Sequence, residues 1–323
     1  MSPRIYAPIA VIAALLVAPC GAVAQPVPIK IGTGATGLEQ LELLKAVPSL
    51  GPSQDKAYAL EFIAFRGTDA RFKAYESGQL DAFTGSGAAM LVAAAAGIEF
   101  KIVASLSKES ARGYVTQFLV TADSPIKTVA DVKGKLIGIN GYKSSIELYA
   151  RIPVQNAGLD PERDVKWAVV PFPAQGQALR SGKLDVGAFP LPFSAIEHKK
   201  GGVRTLFTSH DAMPFDRELI VLAFNEPFLA KNAPAVRALL SDLVAATKYY
   251  LANLRASRQA LIDAKLTRID PAVLLDMEDW YRDPDCRVSV ESLAKEQDAQ
   301  VGAGMQKGRA DLGRIVDTSY LPR

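Results

Sequence analysis

Small polar residues and glycines stand where strands of this chain are predicted to end and helices to begin. Thr36, Ser86 and Ser144 each open a predicted helix. The first backbone N–H groups of a helix have no partner within it, and the helix dipole is positive at this end, so such positions favour an anion. Basic residues lie nearby in sequence, with Lys143 beside Ser144 and Arg66 at the end of a predicted strand. These residue types indicate non-covalent binding of a small anion.

The predicted strand ends define a set of candidate ligand-binding residues. Ligands of open α/β sheets bind beyond the carboxyl ends of the strands. Aromatic residues in the set suit an organic ligand body, which could itself be aromatic. A structural role stays open for each, because helix caps often only cap, arginines are often merely solvated, and phenylalanines often lie in the core. The candidates are Thr33, Gly34, Ala35, Thr36, Arg66, Ser86, Gly87, Asn140, Tyr142, Lys143, Ser144, Ser145, Phe172, Phe189, Pro190 and Arg217.

Catalytic motifs are absent from the sequence. It contains no G-x-S-x-G elbow, no Walker loop and no complete G-x-G-x-x-G, since the glycines of "GTGATG" are at other positions. His198 and His210 are the only histidines, and neither has a partner at triad or zinc-ligand spacing. We therefore expect no catalytic residue, no metal and no cofactor.

Strands and helices alternate in two stretches, residues 27–106 and residues 135–209. This alternation predicts parallel α/β units with right-handed crossovers. Thr36 with Glu39, and Ser144 with Glu147, form capping boxes at corresponding helices of the two stretches. The fold class is therefore α/β with two lobes of similar plan.

A short repeat marks the same joint in each lobe. "SGQLDAF" and "SGKLDVG" place Asp81 and Asp185 104 residues apart. Each glycine ends a predicted helix and each Leu-Asp pair precedes a strand. We interpret the pair as structural.

Two extended segments connect the lobes, and the chain after them is mostly helical. The segments are residues 113–125 and 218–229, and the helical part is expected to pack on the first lobe. The predicted division is a signal peptide over 1–24, a first lobe over 25–115 and 222–323, and a second lobe over 116–221.

The N-terminus and the composition predict an exported protein. A basic start, an apolar run and the A-x-A site at residues 22–24 indicate a signal peptide cleaved after Ala24, which places the protein in the periplasm. Cleavage leaves Cys286 as the single cysteine, so no internal disulfide is expected. A net charge of +3 is too small and scattered to indicate nucleic acid.

Several stretches, taken in order, resemble a known family. They are "IGTGATG", "FRGTDARFKAYESGQLDAFTGSGAAMLVAAAAG", "TVADVKGKLIGINGYKSS", "NAGLDPERDV", "ALRSGKLDVGAFPLPFSA" and "IVDTSYL". The mature chain resembles the periplasmic solute-binding proteins of ABC importers for nitrate, sulfonate and taurine, the SsuA-like or NMT1/THI5-like family. "AFPLPF" departs from the acidic or small residues more usual after the second Leu-Asp.

The resemblance implies a type II periplasmic-binding-protein fold, in which two lobes joined by two crossover segments hold ligand between them. It also implies a small anionic ligand, such as a sulfonate, nitrate, taurine or an aliphatic or aromatic carboxylate, and delivery to an ABC permease with a cytoplasmic ATPase by a monomer. Two alternatives remain open. One is a ligand-binding partner of a sensor kinase, and the other is a pyrimidine-synthesis enzyme related to the same family, whose cysteine-rich iron motif this sequence lacks.

Overall fold

The first α/β unit follows the predicted order. The computed structural model describes residues 25–34, 39–65 and 67–323, so the predicted signal peptide and the cap at Thr36 lie outside the described residues. The elements of this unit are β1 (Val27–Thr33), α1 (Glu39–Ala46), a 3₁₀ turn (Pro48–Leu50), β2 (Tyr58–Ala64), α2 (Thr68–Glu76), β3 (Ala82–Gly85), α3 (Gly87–Ala95) and β4 (Lys101–Glu109).

The second unit repeats the alternation with shorter strands. Its elements are β5 (Gln117–Thr121), a 3₁₀ turn (Val129–Val132), β6 (Leu136–Ile139), α4 (Ser145–Asn156), β7 (Lys166–Val169), α5 (Phe172–Arg180), β8 (Gly187–Phe189), α6 (Phe193–Lys200), β9 (Val203–Thr208) and α7 (Ser209–Ala212).

The chain then returns to the first sheet and becomes helical. The return strand is β10 (Arg217–Phe224), and the helices are α8 (Glu226–Ala252), α9 (Leu254–Asp263), α10 (Pro271–Leu274), α11 (Val290–Gly302) and α12 (Leu312–Ile315). Helix α8 is interrupted at Asn232, where the backbone leaves helical geometry two residues before Pro234.

The strands form a five-stranded sheet in the order β2-β1-β3-β10-β4 and two smaller sheets, β8-β5-β9 and β6-β7. Strands β2, β1 and β3 are parallel, and so are β6 and β7, as the alternation predicts. The connecting strands differ, because β10 runs antiparallel to β3 and β4, and β5 runs antiparallel to β8 and β9. A parallel bridge between Ile137 and Val186 links the two smaller sheets.

The repeated Leu-Asp pair makes the same contacts in both units. The Asp81 carboxylate accepts from the Lys30 N–H, and the Asp185 carboxylate accepts from the Leu136 N–H, each at 2.8 Å. The two aspartates therefore hold the start of β3 against β1 and the segment before β8 against β6.

Three clusters hold most of the core. Two surround the large sheet and contain residues from 29–106 together with residues from 221–321. The third contains residues from 118–213 and one residue of the C-terminal part, Ala303. The helical C-terminal part thus packs mainly on the first unit.

Candidate functional site

The carboxyl ends of β1 and β3 lie side by side, because the two strands are parallel neighbours. Thr33 ends β1 and is 7% exposed. Ser86 follows β3 and caps α3, since its hydroxyl accepts from the Ala89 N–H at 3.2 Å. The structure therefore brings the predicted residues Thr33, Gly34, Ser86 and Gly87 to one edge of the large sheet. The predicted residues Ala35, Thr36 and Arg66 lie outside the described residues.

Arg71 of α2 reaches this same edge, although the sequence analysis did not single it out. A Cβ atom added at Gly32 would lie 3.1 Å from Arg71 Cγ, and one at Gly34 would lie 2.9 Å from Arg71 Nη1. A Cβ atom at Gly85 would lie 3.9 Å from Nη2. The side chain thus runs across the ends of β1 and β3, in the space that these glycines leave.

Gly32 and Gly34 of the first predicted turn, and Gly85 at the end of β3, therefore have a packing role. None of Gly32, Gly34 and Gly85 has a left-handed backbone, so conformation does not require glycine there. The backbone conformation of these glycines and their distance from Arg71 are visible only in the structure, so the sequence carries no signal that would have identified Arg71.

Arg71 is a buried cation without a counter-ion among the described residues. Arg71 is only 6% exposed, and its Nε has no hydrogen-bond acceptor. Burial lowers the pKa of Arg71 to about 10, so the guanidinium is still charged at neutral pH. A buried charge that lacks an acceptor is costly, which makes this edge strongly attractive to an anion.

The corresponding edge of the second unit is the loop between β6 and α4. Ser144 caps α4, because its hydroxyl accepts from the Glu147 N–H at 3.2 Å and donates to the Gly141 carbonyl at 2.7 Å. The Glu147 carboxylate accepts from the N–H of Lys143 at 2.5 Å, one residue earlier than a standard capping box. Lys143 itself has a left-handed backbone, with φ of 56°.

Side chains of this loop differ in exposure. Tyr142 is 59% exposed, Lys143 is exposed and Ser145 is buried. Asn140 follows β6 directly, and its side-chain oxygen is buried without a hydrogen-bond partner. The loop therefore presents an aromatic ring and a cation to solvent, above a buried amide.

The predicted aromatic walls have different surroundings. Phe172 begins α5, is half-buried and stacks on Phe193 with ring centroids 5.6 Å apart. Phe189 is fully buried with Leu119 and Leu179, and Pro190 is also buried. The Phe189 ring thus fills the core beneath the sheet in this structure, and its backbone carbonyl accepts from the Tyr114 hydroxyl at 2.7 Å.

Arg217 lies in the interior where the chain crosses between the units. It is fully buried, donates through Nη1 to the Met213 and Phe215 carbonyls, and has Nη2 3.7 Å from Oε2 of the buried Glu109. Glu109 also accepts from Thr116 and Ser209. Arg217 therefore compensates a buried carboxylate, while its Nε and Nη2 have no hydrogen-bond acceptor among the described residues.

Glu296 of α11 is a second residue that the sequence analysis did not identify. Both carboxyl oxygens are buried without hydrogen-bond partners, and Oε2 would lie 2.8 Å from a Cβ atom at Gly87. Burial raises the pKa of Glu296 to about 8, partly opposed by Arg217 and reinforced by Glu218 and Glu109. The carboxyl group is therefore mostly protonated at neutral pH.

Helix α11 connects the two units at this point. It contacts α3, α4 and β10, and helices α3 and α4 contact each other. The side-chain amide of Gln300 donates to the Ala88 carbonyl at 2.8 Å. The start of α3 is thus bonded to α11, which also contacts α4 of the second unit.

Metal ligands and cysteine thiols are the other side chains relevant to the chemistry of the described residues. No group of three or more His, Cys, Asp or Glu side chains in the described ranges could hold a metal ion. Cys286 is buried beside Thr247, and burial raises the pKa of its thiol to about 12. In the part of the chain that the structure describes, no helix has the length and apolar character to cross a membrane.

A family model matches residues 26–264, most of the chain, and its description is the NMT1-like family. A comparison with curated protein sequences finds no match.

Solved structures with the same fold have different functions. The periplasmic aliphatic sulphonate binding protein SsuA from Escherichia coli is similar with a TM-score of 0.72 and 20% identity, over 92% of this chain and 94% of that one. The periplasmic nitrate-binding protein NrtA from Synechocystis PCC 6803 gives 0.71 and 11%, over 91% and 87%. The desulfurization enzyme DSZB gives 0.65 and 14%, over 91% and 97%. At these identities the likeness shows the fold, which is the periplasmic-binding-protein fold expected from the sequence.

Proposed function

The chain belongs to the NMT1-like family, and on that premise we propose that it is the substrate-binding component of an ABC importer, which captures a small organic anion between two lobes. The observation that carries the proposal is the pair of serine-capped helices α3 and α4, which belong to different sheets and contact each other. In the proposed arrangement the two helix starts face each other, and their free N–H groups attract an anion from both sides.

The lobes follow the division expected from the sequence, 25–115 with 222–323 and 116–221. Support comes from the core clusters, which separate residues of these ranges except at the start of β10, at α11 and at the segment after it. Strands β4 and β10 run from the large sheet toward the second lobe, so hinge motion would act at residues 110–116 and 212–217.

The mechanism involves no covalent step. A ligand that contacts both lobes favours the closed form only to the extent that it binds that form more tightly. The closed protein is then recognised by an ABC permease with a cytoplasmic ATPase. The protein acts as a monomer in the periplasm, after cleavage of the signal peptide at Ala24.

An enzymatic function is less well supported, although DSZB is an enzyme with this fold. Thiol chemistry needs a thiolate, and the high pKa of the buried Cys286 opposes its formation. A sensor kinase in place of the permease would use the same binding event.

The experiment that tests the proposal is native mass spectrometry of the mature protein, followed by a thermal-shift screen. The screen contains sulfonates, aliphatic and aromatic carboxylates, nitrate, amines and pyrimidines. We expect a copurified organic acid, or a rise in the melting temperature of several degrees with one anion class. Stabilisation only by amines or pyrimidines, or by no compound, would contradict the proposal.

A further inference from the structure

We infer that Arg71 is the residue that binds the anionic head of the ligand, and that this head is the carboxylate or sulfonate of an organic molecule seated between Arg71 and the start of α3. The inference rests on the proposed function and assigns a residue and a ligand class to its site.

The first line of support is the absence of a counter-ion. Four other arginines among the described residues are at most 8% exposed. Nε and Nη2 of Arg217 and Nε of Arg258 also lack hydrogen bonds, but each of the four guanidinium groups has at least one carbonyl or carboxylate acceptor. Arg151 pairs with Glu147, Arg217 contacts Glu109 and carbonyls, Arg258 donates to carbonyls beside Asp279, and Arg282 pairs with Glu39 and Asp279. Arg71 has no such acceptor in the described part of the chain. A ligand anion would supply it.

The second line of support is an internal comparison between the two lobes. Arg71 precedes Asp81 by ten residues, and Gln175 precedes Asp185 by the same distance. The two side chains occupy corresponding places, because Gln175 lies against Gly138 as Arg71 lies against Gly32, and a Cβ atom at either glycine would also meet the leucine of the Leu-Asp pair.

Both polar atoms of the Gln175 side chain have hydrogen-bond partners within its lobe. Its Nε2 donates to the Val170 carbonyl at 3.0 Å, and its Oε1 accepts from the Ala188 N–H at 2.7 Å. A neutral amide of this length therefore meets the structural needs of the position. Arg71 is longer, carries a charge that the fold does not use, and extends to Gly34 at the end of β1.

The third line of support is the direction of the guanidinium. Nη1 lies toward Gly34 and Nη2 toward Gly85, the residue before the cap Ser86. Helix α3 has nine residues, and the free N–H groups of its first turn add donors at this edge. A guanidinium presents its N–H groups as a planar fork, which matches two oxygens of a carboxylate or a sulfonate.

Aromatic residues of the second lobe indicate the chemical character of the ligand's organic body. Tyr142 is exposed on the loop after β6, and Phe172 follows β7 at the same edge, because β6 and β7 are parallel neighbours. Apolar rings opposite an anion site suit an acid with an aromatic or aliphatic body.

The test measures binding of four probes by isothermal titration calorimetry. The probes are benzoate, benzenesulfonate, propane-1-sulfonate and nitrate, which separate the two head groups, the two body types and the inorganic anion. The proteins are wild type, Arg71→Gln, Arg71→Lys and the control Arg163→Gln, which removes one exposed positive charge elsewhere.

We expect wild type and Arg163→Gln to bind one or more of the organic acids equally well. Arg71→Gln should bind at least about 30-fold more weakly, because loss of one partner of a buried charge pair is costly. Arg71→Lys should lose about tenfold, since lysine keeps the charge but not the fork. Without ligand, Arg71→Gln should melt no lower than wild type, because glutamine fits the corresponding position in the second lobe.

The outcomes separate this inference from the proposed function. If wild type binds an organic acid and Arg71→Gln and Arg71→Lys bind it within threefold of wild type, the role of Arg71 is wrong and the function stands. If Arg71→Gln is unfolded by circular dichroism, Arg71→Lys decides the role. If wild type binds nitrate alone, the ligand class is wrong. If wild type binds none of the four anions, both proposals are contradicted.

Discussion

Buried charges in this protein divide by whether another residue compensates them. Glu109 has Arg217, Thr116 and Ser209 as partners, although burial still raises its pKa. Glu296 has no hydrogen bond to either oxygen, and the neutral acid is the form that its surroundings favour. Arg71 stays protonated at ordinary pH, so its positive charge is available to an external anion.

Replacement of Glu296 by glutamine should change the pH dependence of stability. The folded-state pKa of about 8 lies above the ordinary glutamate value of 4.5, so the folded state holds a proton that the unfolded state releases between these pH values. The stabilising effect of this proton is complete below the unfolded pKa and is lost as pH rises toward 8. Urea unfolding at pH 5, 6.5 and 8 should therefore show wild type losing stability relative to Glu296→Gln.

The loss should be at most about 1.4 kcal/mol per pH unit. Glu42, whose pKa burial also raises to about 8, is present in both proteins and cancels from the comparison. Parallel stability curves for the two proteins would show that Glu296 is ionised in the folded state.

At the scale of elements, the two lobes use the same Leu-Asp pair to join neighbouring strands, β3 to β1 in the first lobe and β8 to β6 in the second. In each lobe the leucine lies against a glycine of β1 or β6, and the aspartate accepts from an N–H group of that same strand. A Cβ at Gly32 would lie 2.5 Å from Leu80 Cδ1, and one at Gly138 would lie 2.6 Å from Leu184 Cδ1. The same local sequence therefore produces the same packing twice.

Removal of either aspartate should destabilise the protein by a similar amount. Asp81→Ala and Asp185→Ala each take the acceptor from one strand N–H, and we expect a loss of about 1–2 kcal/mol in the free energy of unfolding. Chemical denaturation measures the loss. Asp123→Ala is the control, because Asp123 is exposed in a turn and should tolerate the change. Unchanged stability in both variants would show that these hydrogen bonds are not needed to hold the strands.

At the scale of the whole molecule, a buried ion pair and α11 connect the two lobes. Glu109 ends β4, Arg217 begins β10, and both lie where the chain crosses from one lobe to the other. The Arg217 guanidinium also lies 4.9 Å from the ring centroid of Tyr149 in α4. The crossing is thus packed around a charge pair, and any closure motion must preserve it or exchange its partners.

Replacement of Arg217 by methionine should destabilise the whole fold. It leaves Glu109 buried without its cation, which costs about 3–5 kcal/mol in comparable cases. The double variant with Glu109→Gln should recover part of this loss, because a neutral amide can still bond to Thr116 and Ser209. Guanidinium unfolding of the three proteins measures the loss, with Arg163→Met as an exposed control.

If Arg217→Met were as stable as wild type, the pair of Arg217 and Glu109 would contribute nothing to the free energy of unfolding. A loss of ligand binding with unchanged stability would instead support the role that the sequence suggested for Arg217.

The sequence by itself determined the order of the elements, the caps and the repeat. Ser86 and Ser144 were identified as helix starts because a cap depends on residues within three positions along the chain. Family membership was predicted because motif order is a property of the sequence, and the family match confirms it. The antiparallel direction of β5 and β10 in their sheets was not predicted, since strand direction depends on how the chain crosses between lobes.

Only the tertiary structure decided which buried charges lack a partner and which are compensated inside. Arg71 and Gly34 are 37 positions apart, and α2 and the parallel strands bring them together. Arg217, Glu109 and Glu296 meet from three distant segments, so no local pattern could show that Arg217 is buried or that Glu296 is neutral. Charge compensation depends on three-dimensional distance and desolvation, and neither is encoded in the spacing of residues along the chain.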